Sequence, residues 1–170
     1  MNNGAFPCGE QLTVGATLPP LALTVTARHI VAGAAASRDW QPQHHDRAQA
    51  EAMGLPDIIA NTPTQAGWLC RYATDWSGPR GRIGRSRLRM LQPVCPGAAV
   101  AMTGRVAALQ RAEQGWWWIW LVLELRPGAG GEPFSAGELV LALPSATGVQ
   151  PWDIGAEQWQ PPSLDAAVAG

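Results

Sequence analysis

A chain of 170 residues and 18.1 kDa, 46% hydrophobic and 15% charged, has the size and composition of one globular domain. All twelve of its basic residues are arginine, which excludes Schiff-base chemistry, a lysine general base and a phosphate-loop lysine. A formal net charge of −1 with a pI near 6.3 argues against a broad nucleic-acid footprint, although anionic small molecules remain compatible with arginines gathered locally.

Met1 to Pro20 is rich in Asn, Gly and Pro and reads as a loosely held lead-in. Leu21 to Thr26 alternates apolar and polar residues as a half-buried strand does. Ala27 to Ser37 is small and apolar, a pattern suited to a close-packed helix, and the polar stretch Asp39 to Asp46 follows as a loop. Arg47 to Met53 predicts a short helix with Asp46 as its N-cap and Gly54 as its stop. Between Thr64 and Trp76 small and large residues recur at helical spacing, and Gly78-Pro79 closes this longest helix.

Four strands are expected after it: Arg82 to Leu91, Ala98 to Gln110, Trp116 to Arg126 and Phe134 to Leu143. Short turns between them favour antiparallel neighbours. The fold class is therefore α+β, one curved antiparallel sheet around a helix. A domain over 21–150 is expected, with a tail from Pro151 that wraps the surface or frays.

Cys8, Cys70 and Cys95 are odd in number and lack C-x-x-C spacing, so they read as free thiols in a reducing compartment. Met1 to Thr17 has no basic start followed by an apolar core. The longest apolar run, Trp116 to Leu123, falls short of the roughly 20 residues that span a bilayer. A cytoplasmic location without membrane or nucleic-acid partners is expected.

The loop Asp39-Trp40-Gln41-Pro42-Gln43-His44-His45-Asp46 concentrates ionisable groups. A carboxylate and an imidazole five residues apart, with Pro42 holding the turn, are able to converge on one water. Two plainer readings stand beside this one: Asp39 caps the next turn with both histidines solvated, or the group ligates a metal. A full ligand set is lacking for the second, and no metal or separate cofactor is expected.

Ser37, Arg38, Asp39, Pro42, His44 and Asp46, followed by Ala52-Met53-Gly54-Leu55-Pro56, resemble the signature of MaoC-like (R)-specific enoyl-CoA hydratases, which runs S/T-G-D-x-N-P-x-H-x-D. Pro96 to Val106 resembles that family's P-G-D-x-L-x-x-x-G-x-V strand. The resemblance implies a hotdog fold, a long helix wrapped by an antiparallel sheet. It also implies Asp39 and His44 as the catalytic pair for reversible hydration of a trans-2-enoyl-CoA to a (3R)-hydroxyacyl-CoA. Coenzyme A then belongs to the substrate. Where family members carry His-Gly at the start of the long helix this chain has Ala60-Asn61, and Gln41 replaces the Asn of N-P. Asn61 and Thr62, at a helix N-terminus, are then the expected donors to the thioester oxygen.

The run Asn61-x-x-Thr64-x-x-Gly67-x-x-x-Arg71-x-x-Thr74-Asp75-Trp76 is similar to the catalytic MaoC-like subunit of heteromeric steroid side-chain enoyl-CoA hydratases. That likeness implies a steroid thioester substrate and a second MaoC-like subunit in a heterodimer or heterotetramer. The alternatives are a non-catalytic partner subunit and a hotdog acyl-thioester dehydratase or thioesterase.

Five of the twelve arginines lie between Arg80 and Arg89. On a strand Arg85, Arg87 and Arg89 share one face and suit the phosphates of coenzyme A, the plainer reading being a solvated face or salt bridges. Trp116 to Leu123 is apolar on both faces, so either the fold covers both or one belongs to an interface or an acyl tunnel.

Overall fold

The computed structural model describes residues 6–146 and 150–165. The outermost parts of the expected lead-in and tail, 1–5 and 166–170, and residues 147–149 lie outside the described residues. Five strands form one antiparallel sheet in the order β1-β3-β4-β5-β2. Their spans are β1 Thr17–Thr24, β2 Arg82–Met90, β3 Ala99–Arg111, β4 Trp117–Pro127 and β5 Ser135–Leu143. The helices are α1 Ala27–Ala36, α2 Arg47–Ala52 and α3 Thr62–Ser77.

The core lies between the concave face of the sheet and α3. Ile119, Leu121, Leu123 and Leu125 of β4 and Leu139, Leu141 and Leu143 of β5 recur with the period of two that sends them all to one face. Leu69, Tyr72 and Ala73 of α3 meet them there. Two glycine-related features fix how the helices sit. Gly33 of α1 lies against Thr64 of α3 so closely that a β-carbon at Gly33 would fall 2.0 Å from the Thr64 hydroxyl. Gly78 ends α3 at φ +71°, a left-handed conformation that costs glycine little, with its N–H donated to the Thr74 carbonyl at 2.9 Å.

Two expectations are revised. β1 begins at Thr17, not Leu21, and takes in Pro19-Pro20. An edge strand tolerates prolines because no outward N–H is required of it, and the pairing with β3 is irregular between Leu18 and Leu21. The long helix begins at Thr62, not Thr64, because Asn61 caps it and Pro63 is compatible with its first turn.

Both faces of the tryptophan-rich strand are covered by the fold. Trp118 and Trp120 point away from α3, beside Val140 and Ala142, and Trp159 and Leu164 of the tail pack over them. Trp118 lies 5.0 Å from Trp159, and the Trp120 indole N–H donates to the Ser163 carbonyl at 3.0 Å. Arg82 stacks on Trp159 at 3.7 Å and on Trp152 at 5.0 Å. The described part of the tail thus wraps the sheet. No helix among the described residues is long and apolar enough to cross a membrane.

Candidate active site

α1, the loop after it and the start of α3 meet at one corner. α1 has a capping box at its start, Thr26 with His29, and its alanines bring the backbone close to α3. It ends at Ser37, after which Arg38 takes φ 54°, the only non-glycine residue with positive φ among those described. The Arg38 N–H returns to the Ala35 carbonyl at 3.1 Å and the Asp39 N–H to Ala34 at 2.9 Å, a helix-ending pair of bonds that sends Asp39 out of the helix and towards α3.

Pro42 then opens a single 3-10 turn ending at His44. His44 is buried, and its Nδ1 lies 2.7 Å from the Ile59 carbonyl oxygen. A carbonyl only accepts, so Nδ1 carries the hydrogen and Nε2 is left as the nitrogen that faces Asp39. The Nε2 to Asp39 Oδ2 separation is 3.3 Å. The adjacent His45 is exposed, with Nε2 3.3 Å from the Trp40 carbonyl, and Asp46 caps α2 by accepting from the Gln49 N–H at 3.2 Å. Of the ionisable groups in this loop, only Asp39 and His44 converge.

Asn61 completes the corner. Its Oδ1 accepts from the Thr64 N–H at 3.0 Å and from the Thr64 hydroxyl at 2.5 Å, so its amide nitrogen must point the other way. That nitrogen donates to Asp39 Oδ2 and to Ser37 Oγ, both at 2.9 Å. Ser37 in turn donates to the Gly33 carbonyl at 2.8 Å. The Asp39 carboxyl is held below its ordinary pKa, first by the Asn61 hydrogen bond; partial burial opposes this, and the Gln41 N–H and His44 add to it. Burial pushes the thiols of Cys70 and Cys95 up, by contrast, the direction that disfavours a thiolate.

Asn61 and Thr62 open α3, and among the described residues the N–H of neither has an acceptor in the chain. Open N–H groups at a helix start favour negative charge. The Thr62 hydroxyl lies 2.8 Å from Met90 Sδ, which brings the end of β2 to the helix start. The side-chain role of Asn61 is absent from the sequence reading, which uses only its backbone. An asparagine followed by Thr-Pro is a readable N-cap, but its reach to Asp39 across 22 positions is not.

The arginine row stands elsewhere. Arg85, Arg87 and Arg89 lie on the outer face of β2, away from α3. The Arg87 guanidinium pairs with Glu138 and with Asp165 at 3.0 Å, and Arg85 Nε donates to the Pro161 carbonyl at 3.0 Å. Two of the three are thus engaged within the chain, and Arg89 makes no ion pair among the described residues. Among the described residues there is also no cluster of three or more His, Cys, Asp or Glu that would hold a metal ion.

Residues 11–115 match the MaoC like domain family. The chain belongs to that family. Within it, the chain is 43% identical over 96 residues to the 3-oxo-4,17-pregnadiene-20-carboxyl-CoA hydratase beta subunit of Mycobacterium tuberculosis (strain ATCC 25618 / H37Rv), covering 56% of this chain and 74% of that protein. Among solved structures, a chain of the ChsH1-ChsH2 complex from Mycobacterium tuberculosis is 34% identical with a TM-score of 0.67, over 77% of this chain and 98% of that one. The (R)-hydratase from A. caviae involved in PHA biosynthesis is 25% identical with a TM-score of 0.69, over 79% and 99%. A sheet of five antiparallel strands around one helix is the hotdog architecture of these MaoC-like hydratases, as the sequence resemblance implies.

Proposed function

We propose that this MaoC-like chain hydrates a trans-2-enoyl-CoA to a (3R)-hydroxyacyl-CoA, with Asp39 and His44 as the catalytic pair, a steroid side-chain thioester as substrate and a second MaoC-like subunit as partner. The observation that carries the reading is the 3.3 Å approach of His44 Nε2 to an Asp39 carboxylate kept ionised by Asn61, beside the open N–H groups of α3. Likeness to a pregnadiene-carboxyl-CoA hydratase subunit and to a two-component complex supports the substrate class and the partner.

The chemistry follows from the charge flow. Water adds through its oxygen to C3 of the enoyl thioester, and the electron pair of the double bond moves towards the thioester oxygen. Negative charge developing there is met by the N–H groups of Asn61 and Thr62, fixed in direction by the helix before the reaction begins. Asp39 and His44 Nε2, side by side, face the water from one side, take its proton and return a proton to C2, so that atoms and charge balance. Dehydration of the hydroxyacyl thioester, the reverse reaction, uses the same groups in the opposite order.

The purified chain, alone and with its co-encoded MaoC-like partner, is to be assayed on crotonyl-CoA and on a steroid side-chain enoyl-CoA. Asp39→Asn or His44→Ala is expected to lower kcat by roughly 10²–10⁴-fold with an unchanged circular dichroism spectrum. Undiminished turnover in either variant removes the catalytic assignment. Efficient crotonyl-CoA hydration by the lone chain removes the requirement for a partner.

A further inference from the structure

The two open N–H groups at the start of α3, those of Asn61 and Thr62, belong to successive peptide units. A trans peptide is planar, with its N–H directed opposite to its C=O, so whatever holds one end aims the other. The Thr62 N–H shares its unit with the Asn61 carbonyl, which accepts from the Gln65 backbone N–H at 3.2 Å. That bond is the first rung of the α3 ladder and comes with any helix. The Asn61 N–H shares its unit with the Ala60 carbonyl, which lies before the cap, outside the ladder. A side chain holds it instead. Gln65 Nε2 donates to the Ala60 carbonyl at 3.0 Å. Side chains on a helix lean towards its N-terminus, which gives a glutamine in the first turn that reach.

Gln65 is a costly residue for this place. It is fully buried, and because a carbonyl only accepts, its nitrogen must face Ala60. Its Oε1 is then left without a hydrogen-bond partner among the described residues. A buried acceptor left unsatisfied lowers stability, and a methionine of similar volume would fill the space without that cost. The neighbouring backbone shows what the amide achieves. The Ile59 N–H donates to the Gln43 carbonyl at 2.9 Å, the Ile59 carbonyl receives His44 Nδ1 at 2.7 Å, and the Ala60 N–H donates to the Val94 carbonyl at 2.9 Å. With Gln65 on the Ala60 carbonyl, every backbone polar group of Ile59 and Ala60 is engaged. The next N–H along the chain, that of Asn61, is the first left open. The same two residues thus carry the bond that orients His44 and the bond that aims the Asn61 N–H.

A peptide whose carbonyl accepts a hydrogen bond donates more strongly through its N–H, because linked hydrogen bonds polarise one another. Resting on the reading that the Asn61 N–H meets the thioester oxygen, we infer that Gln65 is a positioning residue for hydration, which aims and polarises that N–H through the Ala60 carbonyl. It touches no reacting atom. Charge on the thioester oxygen is greater in the transition state than in the bound substrate, so the effect of Gln65 falls on kcat and not on KM.

Gln65→Met is to be assayed in the chain with its co-encoded partner, on whichever of crotonyl-CoA and the steroid side-chain enoyl-CoA the wild type hydrates. Its kcat is expected to fall by roughly 10-fold or more, short of the roughly 10²–10³-fold lost when such a donor is removed outright, with KM little changed. The urea midpoint should stay near that of the wild type, because the donor to Ala60 and the unpartnered acceptor are lost together. Tyr72→Phe is the control. It deletes another bond from an α3 side chain to a backbone carbonyl, Tyr72 to Pro19 at 3.0 Å, and should lower the urea midpoint without lowering kcat. A second readout needs no variant and decides alone if Gln65→Met does not fold. In NMR spectra of the isotope-labelled wild-type chain, the bound thioester is expected to shift the Asn61 backbone amide and the Gln65 side-chain amide together. An unchanged kcat in folded Gln65→Met, a rise in KM in its place, or a ligand that moves Asn61 and not Gln65 overturns the proposal. A wild type that hydrates neither thioester, or a hydrated thioester that moves neither resonance, instead overturns the reading of the site, and this proposal with it.

Discussion

The corner that joins Asp39, His44 and Asn61 and the outer face that joins Trp118, Arg82 and Trp159 both tie distant parts of the chain together, by different physics. At the corner every link is a polar bridge of fixed direction: Ser37 to Gly33, Asn61 to Ser37 and Asp39, and His44 to Ile59. On the outer face stacked rings and the Arg82 guanidinium dominate, where contact area matters more than direction, and directed bonds such as Trp120 to Ser163 and Arg85 to Pro161 add to them. A hydrogen bond contributes about 1 kcal/mol net, whereas covering an aromatic ring contributes several times more. The tail therefore holds the fold and the corner holds the geometry of two side chains. Stability and chemistry are separable in this molecule.

The largest effect is expected from Trp159→Ala. It removes the ring that covers Trp118 and supports Arg82, and is expected to lower the free energy of unfolding in urea by about 3 kcal/mol. Turnover per folded molecule should not change, because no link at the Asp39 corner passes through the tail. A fall in turnover at unchanged stability would break the separation.

Asn61→Ala tests the other side. Loss of the α3 cap and of a buried donor is expected to cost about 2 kcal/mol, and the more telling change is in pH dependence. The hydrogen bond from Asn61 holds the folded-state Asp39 carboxyl below its ordinary, unfolded pKa. The stabilisation is therefore present above that unfolded value and is lost as pH falls through the folded one. Without the amide donor the Asp39 pKa rises. The acid limb of the activity profile is expected to move to higher pH, and the stability gap between wild type and variant to narrow as pH falls below about 4. An acid limb that does not move would show that Asp39 is not held through Asn61.

What was legible in the sequence follows the same division between local and distant contacts. The leucines of β4 and β5 declare a buried face by their alternation, and the element order leads to the observed sheet. The pairing of Asp39 with His44 is local enough for spacing to suggest it. Thr17 to Pro20 read as lead-in because two prolines mask a strand whose pairing comes entirely from β3. The apolar outer face of β4 was visible, but its cover was not, since Trp152 and Trp159 sit in a segment with no periodicity of its own. Likewise the alternation of Arg85, Arg87 and Arg89 was correct, while the partner of Arg87 at Asp165 lies 78 positions away. A side chain's commitment to such a partner decides whether it is available to a ligand, and spacing carries no record of it.

The smallest expected effect lies at Arg38, where the corner meets the fold. Its φ of 54° costs an L-residue energy that glycine does not incur. Glycine returns part of that gain through the greater freedom of its unfolded chain. Arg38→Gly is therefore expected to stabilise the protein by about 0.5–1 kcal/mol, a rise in Tm of roughly 2 °C for a domain of this size. Arg38→Ala keeps the β-carbon, and with it the strain, and should show no such gain. Since the bonds from the Arg38 and Asp39 N–H groups to Ala35 and Ala34 are made by the backbone, Asp39 should leave α1 at the same angle in the glycine variant. A loss of stability in Arg38→Gly would mean that the arginine side chain, not the helix-ending backbone, sets the direction in which Asp39 enters the site.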